Sequence, residues 1–297
     1  MRGIQPLGAP CGIVTPLDDD SGNMAARLST VRIPADYNAE CSPIEQVEGA
    51  LVIQPRVFSD GRGFFQEVYN FDKFPLFLDQ HNGNAQWRRA EMKQVSVSSS
   101  RANTIRGIHC APYAKLVQCT AGRVFDVVVD LRKTSPTFGR WYGTWLSAKN
   151  HTQMYIPARC GHGFFAAEDN STVVYSQEGT YAPGQDVELN PMDVEVGIQW
   201  PQPVICDPDN QGHSDRGVGD LDGYIVSQKD RDAASLLALQ PRLQKICEQE
   251  LMANASSPAA ADKSASSGVD YVILGASGFL GSATVQELRR RGRVVAM

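Results

Sequence analysis

One histidine and one lysine stand six residues apart in the stretch TIRGIHCAPYAKLVQC, residues 104–119. His109 follows the pair Arg106-Gly107, and Lys115 comes where an adjoining strand should begin. A single histidine in such a stretch is most often an ordinary core residue. Burying several cationic and polar groups together without a ligand is costly, however. The stretch therefore predicts a site that binds a ligand or performs acid–base chemistry.

Three further groups have side chains suited to the same chemistry. Gly161-His162-Gly163 has the pattern of a close backbone approach, and Tyr175 and Tyr181 follow in a strand and at its exit. A tyrosine phenol that faces a cavity can serve as a general acid. Asp230, in the run SQKDRD, can orient a histidine as carboxylates do in acid–base sites, although such a run is ordinarily a solvated charged segment.

A metal centre is the alternative use of these histidines. His109 and His162 both fall in strand-like segments, and two histidines are a usual start for an iron or zinc site. The sequence has no close His-x-His pair, and the remaining histidines, His81, His151 and His213, lie in loop-like surroundings. We therefore predict no metal ligands.

The region that must position these residues consists of short strands. Runs such as KLVQCTAGRVFDVVVDLR, RWYGTWLSA and STVVYSQEGTY are rich in Val, Tyr and Trp and are separated by turn residues, which is typical of a sandwich, barrel or jelly roll. The strand VFDVVVDLR has two faces, Val124, Asp126, Val128 and Asp130 on one and Phe125, Val127, Val129 and Leu131 on the other. We expect the second, wholly apolar face to line a closed interior.

The composition along the chain predicts four parts. Residues 1–48 form a loose lead-in, and residues 49–252 form the strand-rich domain, with a helix over 231–252 that Pro241 interrupts or restarts. Residues 253–268 are a linker of small residues. Residues 269–297 form an incomplete Rossmann βαβ fragment, in which a strand leads into a GxxGxxG turn built on Gly275, Gly278 and Gly281. We expect this fragment not to bind a dinucleotide usefully by itself.

Charge and cysteine content narrow the classes of partner and compartment. The 297 residues carry a net charge of -5, which gives no electrostatic reason for nucleic-acid binding, so no nucleic-acid partner is predicted. The seven cysteines are scattered and contain no CxxC pair, which favours a reduced, cytoplasmic protein over a disulfide scaffold or zinc knuckle. No signal peptide and no apolar stretch long enough to cross a membrane is seen, so we predict no membrane partner.

Six motifs, taken together, resemble one enzyme family. SDGRGFFQE, IRGIH, KLVQCTAGRVFDVVVDLRKTSPTFGRW, YIPARCGHGF, STVVYSQEGTYAP and SQKD occur in the order found in the dTDP-4-dehydrorhamnose 3,5-epimerase family, over residues 50–235. The resemblance implies a mainly β fold, a cupin-type jelly-roll barrel that works without a metal or other cofactor, in a homodimer that exchanges strands. It also implies a nucleotide-sugar substrate, a dTDP-linked 4-keto-6-deoxy sugar inverted at C3 and C5.

The resemblance also implies a role for each motif residue. His109 would be the base, with Asp230 as the carboxylate that orients it, Tyr175 the acid on the opposite face, and Lys115 the cation that stabilises the enolate oxygen. The remaining positions are implied to bind substrate, with Arg62, Phe64 and Glu67 at the nucleotide, Arg106 at the diphosphate, and Gln94, His162 and Tyr181 around the sugar.

Two departures from the family pattern bear on specificity. Only CAPYA separates His109 from Lys115, where the family has a longer loop, and Gln94-Val95-Ser96 stands where the family commonly has Gln-x-Asn. Inversion at C3 alone, a nucleotide other than dTDP, and a noncatalytic protein that binds sugar nucleotides are therefore the alternatives. The C-terminal fragment resembles the start of an extended short-chain dehydrogenase/reductase, which leads us to expect a longer, bifunctional gene product.

Overall fold

A computed structural model describes residues 31–79, 86–181, 183–203, 218–221, 223–255, 271–273 and 294–296. Two mainly antiparallel sheets face each other across a shared core. The strands of the first sheet, in spatial order, are β2 (Ala39–Pro43), β3 (Leu51–Pro55), β13 (Gln153–Ile156), β10 (Lys115–Ala121), β15 (Ser171–Gln177) and β8 (Gln94–Ser100). The strands of the second are β12 (Trp141–Ser147), β11 (Arg123–Asp130), β14 (Cys160–Ala166), β9 (Thr104–Cys110), β18 (Tyr224–Ser227) and β17 (Val218–Leu221), with β16 (Val187–Glu188) also paired to β9.

Smaller elements surround this sandwich. They are a three-stranded sheet of β1 (Val31–Arg32), β6 (Leu76–Asp79) and β7 (Gln86–Arg89), a hairpin of β4 (Val57–Asp60) and β5 (Gly63–Gln66), and the helices α1 (Gln228–Arg231) and α2 (Leu236–Ala255). Short, apolar, β-branched and aromatic runs form the strands, as their composition predicts. The mainly β, jelly-roll prediction is confirmed.

The core between the two sheets is built from alternate residues of both. Val117 and Val173 come from the first sheet, and Val124, Val128 and Phe164 from the second. Side chains alternate between the faces of a strand, so residues two positions away from these also point between the sheets. Because of this alternation, only polar side chains at the inward-pointing positions can meet between the two sheets.

The prediction for the faces of β11 was wrong. Val127, Val129 and Leu131, expected to line the interior, belong to a separate outer cluster that includes Trp200 and Leu239. The face that carries Asp126 points between the sheets instead. Both faces are buried because residues 187–200 and helix α2 cover the outside of the sheet, so an apolar face alone did not identify the interior.

Two other expectations need correction. Residues 31–48 are not a loose lead-in, because β2 pairs with β3 and the side chains of Ile44 and Val47 are buried in the core. Helix α2 continues through Pro241 without interruption. Leu239 and Leu243 are buried on either side of the proline, and this packing offsets the backbone hydrogen bond that proline cannot make.

The chain forms two compact units, and the boundary between them lies after Glu250. In the second unit, β19 (Tyr271–Ile273) and β20 (Val294–Ala296) pair in parallel. None of the described helices is both long and apolar enough to cross a membrane.

Candidate active site

The space between the two sheets receives polar side chains from both. In the first sheet, Tyr175 lies opposite Val117, and Lys115 is two residues from Val117 on the same face. In the second, His162 shares a face with the core residue Phe164, while His109 lies between the outer-cluster residues Ile108 and Cys110. The two sheets therefore bring together side chains that are far apart in the sequence.

His109 is held by a carboxylate from the one-turn helix α1. Its Nε2 lies 2.7 Å from Oδ1 of Asp230, a residue 121 positions away in the chain. The backbone N–H of Asp230 donates to the Ser227 hydroxyl, which caps α1, and the parallel pairing of β18 with β9 brings α1 to the histidine. The side chain of His109 is 36% exposed and that of Asp230 only 6%, so the imidazole reaches open space while the carboxylate stays behind it.

The electrostatics of Asp230 favour its charged form. Burial alone acts to raise the pKa of this carboxyl. Hydrogen bonds from His109, Ser227 and the Gly107 N–H outweigh burial, and the pKa of Asp230 is lowered. An ionised carboxylate at this position can orient the imidazole and stabilise its protonated form.

Lys115 is a buried cation at the start of β10. It is 8% exposed, and its Nζ donates to the His109 carbonyl oxygen at 3.4 Å. No carboxylate forms an ion pair with it in the part of the chain that the structure describes. Burial lowers the pKa of Lys115, which nearby Cys110, Asp186 and Asp126 partly oppose. A cation without an ionic partner in this position is available to an anionic ligand oxygen.

Tyr175 is fixed by a neighbouring strand. Its hydroxyl lies 2.7 Å from the Ser98 hydroxyl on β8. Burial raises the pKa of Tyr175 to about 12, with a smaller lowering contribution from the Ser98 hydrogen bond. The phenol therefore keeps its proton at neutral pH and can give it up only to a strong base such as a carbanion.

His162 forms a second histidine–carboxylate pair. Its Nε2 lies 2.8 Å from Oδ1 of Asp126, and both side chains are buried. Burial lowers the pKa of His162, and Asp126 acts in the opposite direction. Gly163, next to His162, has no room for a side chain, because a Cβ there would lie 2.7 Å from the Arg106 carbonyl oxygen. Strand β14 thus approaches β9 closely enough to place His162 directly opposite His109.

Asp126 and Ser98 are site residues that sequence reasoning missed. The aspartate in the middle of the apolar run VFDVVV was the available signal for Asp126, because a buried charge requires a partner. Ser98 gave no comparable signal. Its partner Tyr175 is 77 residues away, and only the β8–β15 pairing brings them together.

The other predicted sugar and diphosphate residues lie along β8 and β9. The Arg106 guanidinium donates to the Ser100 hydroxyl at 2.9 Å and to the Ser99 carbonyl oxygen at 3.2 Å. The Gln94 amide oxygen accepts from the Tyr181 backbone N–H at 2.9 Å. Tyr181 itself is 57% exposed. The Arg106 contacts hold this side chain of β9 against β8. The Gln94 contact holds the backbone that follows β15 against β8.

The predicted nucleotide residues lie apart from this group. Arg62, in the turn between β4 and β5, is exposed and pairs with Asp60, and the exposed Phe64 ring contacts the ring of His151. One oxygen of Glu67 accepts from Asn70, while the other is buried and has no hydrogen-bond partner among the described residues. Among the described residues, no hydrogen bond or ion pair joins any of the three to His109 or Lys115.

The Nε2 atoms of His109 and His162 both face carboxylates, and within the described ranges no group of three His, Cys, Asp or Glu side chains could hold a metal ion.

The glycines of the predicted dinucleotide-binding turn, Gly275, Gly278 and Gly281, lie outside the described residues.

Comparisons with known proteins agree on one family. The family model described as dTDP-4-dehydrorhamnose 3,5-epimerase matches residues 45–237. The epimerase of that name from Shigella flexneri is 39% identical over 173 residues, covering 56% of this chain and 91% of the relative. A dTDP-4-dehydrorhamnose 3-epimerase from Streptomyces niveus is 38% identical, covering 52% of this chain and 73% of the relative. The crystal structure of a 4-keto-6-deoxy sugar epimerase from Streptomyces spheroides is similar with a TM-score of 0.56 and 32% identity, covering 71% of this chain and 94% of that one.

Proposed function

The chain belongs to the dTDP-4-dehydrorhamnose 3,5-epimerase family, and on this basis we propose that it inverts C3 and C5 of a dTDP-linked 4-keto-6-deoxy sugar. It is an isomerase. A hydrogen on a carbon next to a ketone is acidic because its removal gives an enolate, with the negative charge on the ketone oxygen. Inversion then requires a base on one face of the sugar ring and an acid on the other.

The observation that carries this proposal is the pairing of His109 with Asp230. His109 takes the proton from carbon, and the buried carboxylate stabilises the imidazolium that results. A protein that only binds a sugar nucleotide has no need of an oriented base. The pair therefore favours catalysis over noncatalytic binding.

Lys115 and Tyr175 complete the proposed reaction. Lys115 stabilises the enolate oxygen, since it is a buried cation without an ion-pair partner among the described residues. Tyr175 delivers a proton to the opposite face of the ring, supported by its buried hydroxyl beside Ser98. The enolate is basic enough to take the proton from a phenol whose pKa is raised to about 12.

The exposure of the predicted nucleotide-binding residues supports a homodimer. Arg62 and Phe64 are exposed on the β4–β5 hairpin, and Phe65 beside them is 69% exposed. Exposed aromatic rings on a hairpin are typical of a surface that another molecule covers. We propose that this hairpin crosses to the nucleotide site of a second copy, where Arg62 meets phosphate, Phe64 meets the base and Glu67 makes polar contacts. Arg106 would hold the diphosphate in the chain's own site, and Gln94 and Tyr181 would line the sugar.

Inversion at C3 alone is the second candidate function. Only the five residues 110–114 separate His109 from Lys115, and the 38% identical Streptomyces niveus relative is a 3-epimerase. The two outcomes share the same first deprotonation. They differ in whether the proton at C5 is removed and replaced as well.

We further propose that the reaction needs no metal or other cofactor and takes place in the cytoplasm. The enolate chemistry is supplied by His109, Lys115 and Tyr175 alone. Five cysteines, Cys41, Cys110, Cys119, Cys160 and Cys247, have free thiols, as in a reduced compartment. The net charge of -5 favours neither nucleic acid nor an anionic membrane as a partner.

For residues 269–297, we propose the start of a dinucleotide-binding domain. The predicted linker 253–268 overlaps the structure at its first three residues, which are the end of helix α2. The parallel pairing of β19 with β20 supports the proposed domain, because parallel neighbours require a crossover such as the helix of a βαβ unit. Sequencing the transcript beyond the codon for Met297 tests whether this segment continues into a fused reductase domain. A continuous reading frame with Tyr-x-x-x-Lys supports a fused reductase, and an immediate stop codon contradicts it.

The experiment that tests the epimerase is proton exchange. The chain is incubated with dTDP-4-keto-6-deoxyglucose in heavy water, and deuterium at C3 and C5 is followed by NMR. Incorporation at both carbons is the expected result, and incorporation at C3 alone establishes the second candidate. No exchange, with binding of dTDP or UDP by calorimetry, would overturn the catalytic proposal in favour of a binding protein.

A further inference from the structure

The carboxylate of Asp126 has no part in the reaction described above. It is fully buried between the sheets, and its Oδ1 lies 2.8 Å from Nε2 of His162. Its Oδ2 is also buried and has no hydrogen-bond partner among the described residues. A buried charge with only one partner is costly, so its presence between the valines and phenylalanine of this strand calls for a role.

The contact between Asp126 and His162 determines which ring nitrogen carries the proton. When Asp126 is ionised it can only accept a hydrogen bond, and Nε2 of His162 is then the donor. In a neutral imidazole the other nitrogen, Nδ1, then has a free lone pair. Burial keeps the imidazole neutral, because it lowers the pKa of His162.

The free nitrogen of His162 is open to a ligand. Nδ1 makes no hydrogen bond within the described residues and is not among the buried atoms that lack a partner. His162 lies opposite the proposed base His109, and its ring packs edge-on against the ring of Tyr175 at 5.8 Å. The acceptor therefore sits where the sugar would lie, between the groups proposed to move protons.

The neighbouring Lys115 has the complementary chemistry. Its ammonium can only donate hydrogen bonds, whereas the fixed imidazole of His162 can only accept one at Nδ1. A ketone oxygen that becomes an enolate requires donors, and a sugar hydroxyl can donate to an acceptor. The two side chains therefore suit different groups of one sugar ring.

We propose that Asp126 is a positioning residue that holds His162 as a neutral hydrogen-bond acceptor for a sugar hydroxyl and leaves the ketone oxygen to Lys115. The assignment of the ligand rests on the proposed function. The tautomer of His162 does not, and it can be measured without any turnover.

The first test is the tautomer in the full chain. Histidine labelled with ¹⁵N distinguishes protonated from unprotonated ring nitrogens by NMR, and His162→Gln identifies the resonances by their loss. We expect a protonated Nε2 and an unprotonated Nδ1 at neutral pH. Addition of dTDP-glucose, which has hydroxyls but no ketone, should shift Nδ1, and dTDP alone should not. A proton on Nδ1 or on both nitrogens would overturn the proposal.

The second test separates sugar from nucleotide binding by calorimetry. Asp126→Val suits the valine-rich strand β11 and removes the acceptor for Nε2. We expect its affinity for dTDP-glucose to fall about five- to tenfold, the effect of one hydrogen bond, with the affinity for dTDP unchanged. Equal losses for both ligands, or none for either, would refute a positioning role. If the variant does not fold, the tautomer of the unsubstituted chain still decides the question.

Discussion

His109 and His162 lie directly opposite each other on β9 and β14, and each imidazole faces its own carboxylate through Nε2. The two pairs differ in exposure. The side chain of His109 is 36% exposed, whereas that of His162 is 5% exposed. The same pair of residue types can therefore serve as an accessible base in one case and as a fixed acceptor in the other, because burial decides which imidazole can take up a proton.

Replacing the base should stop exchange at both carbons. His109→Asn keeps a planar polar side chain but has no basic nitrogen to accept a proton, so we expect deuterium incorporation to fall by at least about 10²-fold. Asp230→Asn should give a smaller loss, because the imidazole remains but its protonated form is no longer stabilised. NMR in heavy water measures both variants. Normal exchange by His109→Asn would exclude this residue as the base.

Replacing the acid should separate the two halves of the reaction. Tyr175→Phe removes only the hydroxyl, so deprotonation continues while proton delivery to the opposite face is lost. We expect solvent exchange without matching product formation, with turnover reduced about 10²-fold or more. Ser98→Ala is the companion variant, since it leaves the phenol in place but removes the partner 2.7 Å away, and its loss should be smaller. Unchanged turnover by Tyr175→Phe would place the acid elsewhere.

Lys115 should set the alkaline limit of activity. The reaction needs its cationic form, which is present below its pKa and lost above it. Because burial lowers the pKa of Lys115, the rate should begin to fall at a lower pH than for an ordinary lysine. Tyr175, whose pKa is about 12, keeps its proton through this range. A pH–rate profile of Lys115→Arg tests the assignment, because guanidinium stays charged and the limit should move upward. An unmoved limit would assign it to another group.

The close approach of β9 and β14 should not tolerate a methyl group. In Gly163→Ala the new Cβ would lie 2.7 Å from the Arg106 carbonyl oxygen and 2.6 Å from Cδ1 of Ile108. We expect a loss of about 1–3 kcal/mol in the free energy of unfolding, measured by urea titration. Gly61→Ala is the matched control, since no atom lies within 4 Å of its added Cβ. Equal stability of both variants would mean that the strands can separate without cost.

The exposed hairpin should be needed for dimer formation and for nucleotide binding. Phe65→Ser removes a ring that is 69% exposed, so it should not disturb the fold of a single chain. We expect sedimentation to show a shift from dimer toward monomer, and calorimetry to show weaker dTDP binding. Val194→Ser is a control at another exposed apolar position, 91% exposed, and should change neither. A monomer in the unsubstituted chain would contradict the strand exchange.

Local patterns in the sequence were sufficient to predict the strand-rich fold and the family. Short runs rich in Val, Tyr and Trp predict strands, because β-branched and aromatic side chains pack well on a pleated surface. The six motifs identified the family, and with it the roles proposed for His109, Lys115, Tyr175 and Asp230. These signals are local, so they could be detected without knowing how the chain folds.

The faces that are buried and several of the side-chain pairs follow from the folded structure and not from local patterns. The strand β11 is buried on both sides, so its pattern could not tell that Asp126 rather than Val127 points between the sheets. Asp126 and His162 are 36 residues apart, and Ser98 and Tyr175 are 77 apart. The pairing of Asp230 with His109 was expected from the family resemblance alone. Such pairs are fixed by strand register and helix docking, which depend on packing across the whole sandwich, and no local pattern of residues encodes them.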